Sequence, residues 1–247
     1  MPPCVRRFER TIPVHVLARE ADLTRTQREG LGKIEALTLL GVAQETTTRI
    51  PATRATDRRI DAVLFVRASL GNTRALESTA TVVHACFPHP SVLILENARG
   101  DVCLSAALTS RRKRATGFAV NAMEADSDIG SWRRTEQGKA FLSSLAFETL
   151  DQRSLAHLTQ DIMARIRLAR VARLVGFYPD PGLCRSPDVV AVIERLLECQ
   201  GRQDRLRAQW KAHGTTQRER LRLRIPLSEA IDQTKAAVDE LTRRCGR

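Results

Sequence analysis

Aromatic residues are scarce in this 247-residue chain, where Phe, Tyr and Trp together make up 4%. Because unpaired bases are commonly bound by stacking on aromatic rings, so low a share disfavours sequence-specific recognition of single strands. Long apolar runs are also missing. The clearest ones, residues 61–66 and 91–95, have the length of strands, whereas a membrane helix needs about 18 consecutive apolar residues. We therefore expect no membrane span.

The familiar phosphate-binding and catalytic motifs are absent. The chain contains no GxxxxGK[ST], GxGxxG, GxSxG or HExxH pattern, so nucleotide binding through these loops has no support. The six cysteines form no CxxC pair, which excludes a zinc ribbon and a thioredoxin-like motif. Residues 1–13 contain no apolar run. We therefore expect no secretory signal, a cytoplasmic location and reduced thiols.

One local cluster carries residue types that bind metals: His84, Cys86 and His89. The remaining ligands of a metal site are missing, so a helix end running into a Pro88–Pro90 turn is favoured over a metal centre. We expect no metal site, no cofactor and no catalytic residue.

Lysine is the rarer cation by far, with five lysines against 35 arginines, and the net charge is +12. Arginine-rich codon usage in a GC-rich genome explains such a bias in one interpretation. In the other, the arginines bind phosphates, since the guanidinium fork contacts them bidentately. The distribution favours the second interpretation. Residues 201–247 hold 12 basic and six acidic residues, so half of the excess lies in the last fifth of the chain.

Hydrophobic periodicity predicts an α/β fold. A helix starts near Thr24, and a second one at residues 73–85 connects two buried strands, which is typical of a parallel crossover. Strands joined by short turns follow and should be antiparallel. We expect a mixed four- to five-stranded sheet with flanking helices. The predicted strands are residues 37–43, 60–66, 92–95, 102–108 and 118–123. Residues 1–20 are predicted to be irregular or extended, and residues 49–59 and 126–138 are predicted to be loops.

The C-terminal part has a heptad pattern. We predict an α/β domain over residues 1–175, a Gly- and Pro-rich linker over 176–188 and a helical hairpin over 186–247. Apolar residues recur at spacings of three and four, as in an antiparallel coiled coil. Pro226 fits a first helical turn, or a kink if the helix starts nearer Thr216. The predicted seam consists of Val192, Leu196, Leu206, Trp210, Leu227, Ile231, Val238 and Leu241.

Two basic segments are the candidate contacts for nucleic acid or a protein partner. One is a predicted loop, and the other surrounds the tip of the hairpin, where residues 202–224 carry a net charge of +6. Charges on an ordinary coiled-coil surface usually alternate in sign, and here they do not. The candidate residues are Arg111, Arg112, Lys113, Arg114, Arg202, Arg205, Arg207, Lys211, Arg218, Arg220, Arg222 and Arg224.

The layout resembles a bacterial family, domain-of-unknown-function family 4391. The resemblance is carried by residues 10–13, by the strands at 60–66 and 91–95, by the segment 84–90 and by the helical pair with its Arg-rich turn. It implies that the protein accompanies a helicase or DNA methyltransferase in a restriction-like, anti-phage gene cluster.

Three hypotheses follow. The leading one is a non-enzymatic accessory subunit of a defence complex that contacts DNA, or a helicase or methyltransferase partner, through the basic hairpin. The second is a metal-dependent nuclease that uses Asp61, Glu96 or the acidic residues Glu124, Asp126 and Asp128, since clustered carboxylates hold the metal in such enzymes. The third is a structural homo-oligomer assembled through the hairpin.

Overall fold

The structure is a computed structural model that describes residues 6–20, 23–55, 58–73, 75–111, 118–213 and 216–246. Its backbone divides into two compact units, residues 1–169 and 170–247. The strands are β1 (Arg6–Thr11), β2 (Ile34–Gln44), β3 (Thr53–Ala55), β4 (Arg58–Ile60), β5 (Ala62–Leu70), β6 (Ser91–Asn97), β7 (Val102–Arg111) and β8 (Phe118–Asp126). The α-helices are α1 (Val14–Glu20), α2 (Arg25–Leu31), α3 (Glu45–Thr48), α4 (Leu76–His84), α5 (Ile129–Trp132), α6 (Glu136–Ser144), α7 (Leu155–Val175), α8 (Pro187–Lys211) and α9 (Gln217–Cys245).

The first unit contains a mixed sheet with the strand order β1-β2-β5-β6-β7-β8. Strands β5 and β6 are parallel, and α4 connects them, so the predicted crossover is confirmed. The other neighbouring pairs are antiparallel. The mixed α/β class is therefore confirmed, but this sheet has six strands among the described residues rather than four or five. The additional strand is β1, which pairs with β2.

The core of the first unit lies between the sheet and helices α2 and α4. Leu37, Val66 and Leu93 of the sheet pack with Leu76 and Val83 of α4 in one buried cluster. These residues are apolar because side chains alternate between the two faces of a strand, and only one face meets these helices. The clear apolar runs of β5 and β6 follow from this central position.

Two segments predicted to be loops, and one predicted to be irregular or extended, contain regular structure. Residues 1–20 include β1 and α1, residues 49–59 include β3 and part of β4, and residues 126–138 include α5 and the start of α6. Short elements of this kind carry little periodicity of their own. Strand β1 is stabilised by its ladder with β2, which is distant in the sequence. Strand β3 pairs with the neighbouring β4, and each has only three residues.

The second unit contains the end of α7, a 3-10 turn at Leu183–Arg185 and the helical pair α8 and α9. Helix α9 begins at Gln217, with Thr216 as its N-cap. Pro226 therefore lies inside the helix, where its missing N–H and its ring disfavour regular hydrogen bonding. None of the helices in the described residues is both long and apolar enough to cross a bilayer.

Candidate nucleic-acid interface

Helices α8 and α9 form the predicted antiparallel hairpin. Arg202 Nη1 of α8 lies 3.4 Å from Gln233 Oε1 of α9, and Arg195, two turns earlier, forms an ion pair with Glu240. As the residue number falls in one helix it rises by the same amount in the other, which establishes the antiparallel direction. The hairpin thus turns between Lys211 and Gln217, and the residues around this turn form its tip.

A capping box starts α9 at this tip. Thr216 Oγ1 accepts a hydrogen bond from the backbone N–H of Glu219 (3.2 Å), and Glu219 Oε2 accepts one from the N–H of Thr216 (2.8 Å). Two donors that a helix N-terminus leaves without partners are thereby satisfied. The Glu219 carboxylate accepts hydrogen bonds from the backbone N–H and from the hydroxyl of Thr216, and they hold its pKa below the usual value. Arg218 and Arg220, on either side of Glu219, are consequently fixed in the first turn of a helix.

The interface between the two helices includes several small residues. On α8 the buried positions include Val192 and Leu196 of the predicted seam, whereas Leu206 and Trp210 are half-buried. On α9, Leu241 is buried, but Leu227, Ile231 and Val238 are half-buried. The buried residues of α9 are Ala230, Thr234, Ala237, Leu241 and Cys245. Sequence reasoning missed the two alanines, although their spacing of seven residues is a heptad signal.

A polar layer lies within this seam at Gln203, which is 6% exposed. The side-chain amide of Gln203 has one orientation in which both its nitrogen and its oxygen find hydrogen-bond partners. In that orientation the nitrogen donates to Thr234 Oγ1 (3.2 Å), and the oxygen accepts from Nη1 and Nη2 of Arg207 (2.8 Å each). Buried polar groups of this kind are tolerated when they are hydrogen-bonded, and they specify register. Arg207 thus hydrogen-bonds to this polar layer, although its side chain is exposed.

Charge is strongly polarised along the hairpin. We call residues 202–224 the tip, and residues 186–201 together with 225–246 the base. The tip has eight basic and two acidic residues, whereas the base has four basic and seven acidic ones. All eight basic side chains of the tip are exposed, namely Arg202, Arg205, Arg207, Lys211, Arg218, Arg220, Arg222 and Arg224.

Ion pairs within the hairpin, in contrast, occur in its base. The ion pairs that the structure gives for the hairpin join Arg195 and Arg244 to Glu240, and both lie in the base. Within the residues that the structure describes, no carboxylate lies within ion-pair distance of Arg205, Arg218 or Arg220. Arg205, Arg218 and Arg220 are thus available to an external anion.

The tip also contains like-charge contacts that disfavour the free protein. Arg218 and Arg222 are four residues apart on α9, as are Arg220 and Arg224, and such pairs destabilise a helix by about 0.2–0.5 kcal/mol each. Arg218 and Arg220 moreover lie at the positive end of the helix dipole. A bound anion would relieve both effects, so the arrangement favours binding of a polyanion.

The second basic segment falls at the β7–β8 connection. Arg111 ends β7, opposite Phe118 of β8. Arg112, Lys113 and Arg114 lie outside the described residues.

The carboxylates of the nuclease hypothesis are dispersed. Glu96 lies opposite Ser69 in the parallel ladder, eight residues along β5 from Asp61, which is about 26 Å. Asp61 is paired with Arg59 (2.7 Å), Glu96 with Arg67 (2.8 Å) and Glu124 with Arg167 (2.6 Å). Asp126 is buried and accepts the N–H of Asp128 (3.0 Å). No group of three potential metal ligands occurs among the described residues.

The cluster His84, Cys86 and His89 is divided between separate environments. His84 is completely buried, with Nδ1 2.7 Å from Ser91 Oγ and Nε2 2.9 Å from Ser105 Oγ. The Cys86 thiol donates to the carbonyl of Val82 (3.2 Å), and burial raises its pKa to about 11. His89 is only partly buried, and its burial lowers its pKa. The geometry gives His84 and Cys86 structural hydrogen bonds.

Comparison with known proteins gives one match. The family model described as "Domain of unknown function (DUF4391)" matches residues 3–230. No curated protein matches the chain, and no solved structure does.

Proposed function

Since the chain belongs to the DUF4391 family, we propose for it the role that the family resemblance implies: an accessory subunit of an anti-phage defence complex that binds DNA through the tip of its helical hairpin. A helicase or DNA methyltransferase is the proposed protein partner. The observation that carries the DNA contact is the concentration of exposed basic side chains at the tip. For Arg205, Arg218 and Arg220, no carboxylate of the described residues lies within ion-pair distance.

Duplex DNA is the polyanion that fits this surface best. It carries one negative charge per about 1.7 Å of helix axis, and arginine contacts phosphates through a planar fork. Residues 218, 220, 222 and 224 are spaced by two, so they point in different directions around α9. Such a distribution suits phosphate contacts on both sides of an inserted tip, and it does not form one face for reading bases. We therefore propose binding that is independent of base sequence.

Matched double variants test this proposal. Arg205→Gln/Arg220→Gln removes two positive charges from the tip, and Lys235→Gln/Arg243→Gln removes two from exposed positions in the base. Binding of a fluorescent 20-base-pair duplex is followed by anisotropy from 50 to 300 mM salt. We expect the tip variant to bind on the order of tenfold more weakly at 0.1 M salt. Its slope of log K against log salt should be shallower by about two.

The base variant is the control, and its binding should change much less. Equal losses in the two variants would show that only net charge matters and would overturn the assignment to the tip. A wild-type protein that does not bind the duplex would overturn the DNA contact itself.

Affinity purification from the host, with and without nuclease, separates the two kinds of partner. A helicase or methyltransferase that is lost on nuclease treatment is bridged by DNA. One that survives the treatment is bound directly, and the tip double variant then shows whether the same arginines hold it.

A further inference from the structure

Two cysteines lie together at the end of the hairpin that is opposite the basic tip. Cys184 belongs to the 3-10 turn that precedes α8, and Cys245 is the last residue of α9. The antiparallel pairing of the helices brings the end of α9 to the start of α8. There the thiol of Cys184 donates a hydrogen bond to the sulfur of Cys245, so no other side chain separates the two sulfur atoms.

The backbone on both sides of this contact is held by hydrogen bonds. The carbonyl of Asp180 accepts the N–H of Cys184 (3.1 Å), which fixes the turn before α8. The carbonyl of Thr242 accepts the N–H of Gly246 (2.6 Å), which closes the last turn of α9 around Cys245. Both cysteines also belong to the same compact unit. The two thiols are therefore kept next to each other by the fold of the second unit.

An open cavity gives access to Cys245. It has a volume of about 650 Å³, and Tyr178, Leu183 and Arg244 line it together with Cys245. Cys245 is otherwise only 8% exposed, whereas Cys184 is half-buried. A small neutral oxidant such as hydrogen peroxide fits this cavity easily and meets the sulfur of Cys245 there.

We propose that Cys184 and Cys245 form a reversible disulfide, which joins the turn before α8 to the end of α9 when the protein meets hydrogen peroxide. Cys245 Sγ attacks one peroxide oxygen, the O–O bond breaks, and the leaving hydroxide takes up the thiol proton as water. Cys184 Sγ then attacks the sulfur of the resulting sulfenic acid. The S–O bond breaks, and hydroxide leaves with the proton of Cys184 as a second water. Two thiols are oxidised, and one peroxide is reduced to two waters.

The environment of the pair sets the order and the speed of these steps. Burial raises the pKa of Cys184 to about 12 and also raises the pKa of Cys245. The hydrogen bond from Cys184 and the charge of Arg244 oppose this rise at Cys245, which makes Cys245 the attacking sulfur. Since the thiolate is the nucleophile, and little of it is present at neutral pH, the pair responds only to a high concentration of oxidant. Disulfides that form in this transient way are typical of redox-responsive proteins in reducing compartments.

Peptide mapping of the full chain tests the proposal. The reduced protein is treated with 1 mM hydrogen peroxide for one hour, and its remaining thiols are alkylated under denaturing conditions. Trypsin then releases Cys184 within residues 174–185 and Cys245 within residues 245–247. We expect mass spectrometry to show these two peptides joined, and dithiothreitol to separate them again.

Thermal unfolding followed by circular dichroism measures the effect on the hairpin. The disulfide closes a loop of about 60 residues and removes entropy from the unfolded chain, so oxidation should raise the melting temperature of the helical unit by on the order of 10 °C. Cys184→Ser should show no such rise. Cys199→Ser, at a half-buried position of α8, is the matched control and should keep both the joined peptides and the rise.

Two results would overturn the pairing: no joined peptides even at 10 mM peroxide, or joining of Cys184 and Cys245 mainly to other cysteines. Joined peptides with an unchanged melting temperature would show that the bond does not form within the native hairpin. Since neither measurement contains DNA, these outcomes are independent of the proposed function.

Discussion

Acidification should destabilise the first unit through one buried histidine. The network around His84 is consistent with a single neutral tautomer. Ser105 Oγ donates to the carbonyl of Glu124 (3.1 Å), so it accepts from the Nε2–H of His84, and Ser91 Oγ–H then donates to Nδ1. A second ring proton on Nδ1 would meet that hydroxyl hydrogen in a site without solvent. Burial accordingly lowers the pKa of His84 to about 3.

The size of the effect follows from linkage. A histidine with a depressed pKa in the folded state contributes its full stabilisation above the unfolded pKa, about 6.5, and loses it as the pH falls from there towards the folded value. At pH 5 the folded state is still neutral at His84, while the unfolded chain has taken up its proton. The free energy of unfolding should therefore be about 2 kcal/mol lower at pH 5 than at pH 8 because of this residue.

Urea unfolding followed by tryptophan fluorescence measures this difference. The chain has two tryptophans, so a Trp210→Phe background leaves Trp132 as the reporter of the first unit. The free energy of unfolding is compared at pH 8, 7, 6 and 5, with and without His84→Gln. The variant removes the titrating group, whereas His89, whose pKa is also lowered by burial, contributes equally to both proteins.

We expect the pH dependence of the His84→Gln protein to be flatter by about 2 kcal/mol. Identical pH dependence in both proteins would refute the reasoning. If the variant does not fold, the ring nitrogen chemical shifts of His84 in the wild type provide the test. They should report the neutral Nε2–H tautomer down to pH 5, and an imidazolium at pH 6 would contradict the assignment.

Three further changes should destabilise the fold, and thermal unfolding by circular dichroism measures each. Gly138→Ala would place a Cβ 2.3 Å from the carbonyl oxygen of Trp132 and should cost about 1–3 kcal/mol; an unchanged melting temperature would contradict this close approach. Arg165→Met removes the guanidinium that lies 2.9 Å from Asp161, whose side chain is 9% exposed, and should cost about 3–5 kcal/mol; a neutral effect would mean that the pair contributes nothing. Leu196→Ala opens a cavity in the hairpin seam, where Leu196 is fully buried, and should cost about 2–5 kcal/mol, which the conservative Leu196→Met should largely avoid.

Elements with a strong period of their own were predictable. Strands β5 and β6 and the crossover helix α4 follow from apolar runs and from the Pro88–Pro90 turn that ends the segment. Strand β1 was not predictable, because the strand it pairs with, β2, is distant in the sequence. Strands β3 and β4 pair with each other, but three residues per strand are too few for a recognisable alternation. The number of strands in the sheet, six, was not predictable either, because β1 belongs to the sheet only through its pairing with β2.

The sequence predicted the charge of the candidate interface, but it predicted only part of the packing between the two helices. The net charge of +6 over residues 202–224 is a property of the sequence. The seam of α9 contains Ala230 and Ala237, which a search for large apolar residues passes over. Small residues allow the helices to approach closely, and larger ones such as Ile231 then lie at the edge of the contact.

The sequence by itself determined the two long helices and the concentration of arginine near the turn, since helix period and charge are local properties. The tertiary structure decided how these parts combine. Antiparallel closure brings the basic ends of α8 and α9 together, and it places Leu221 and Ile225 on the outside. Folding likewise brings Ser91 and Ser105 to the two nitrogens of His84. These outcomes depend on residues that are distant in sequence, and no local pattern records such distances.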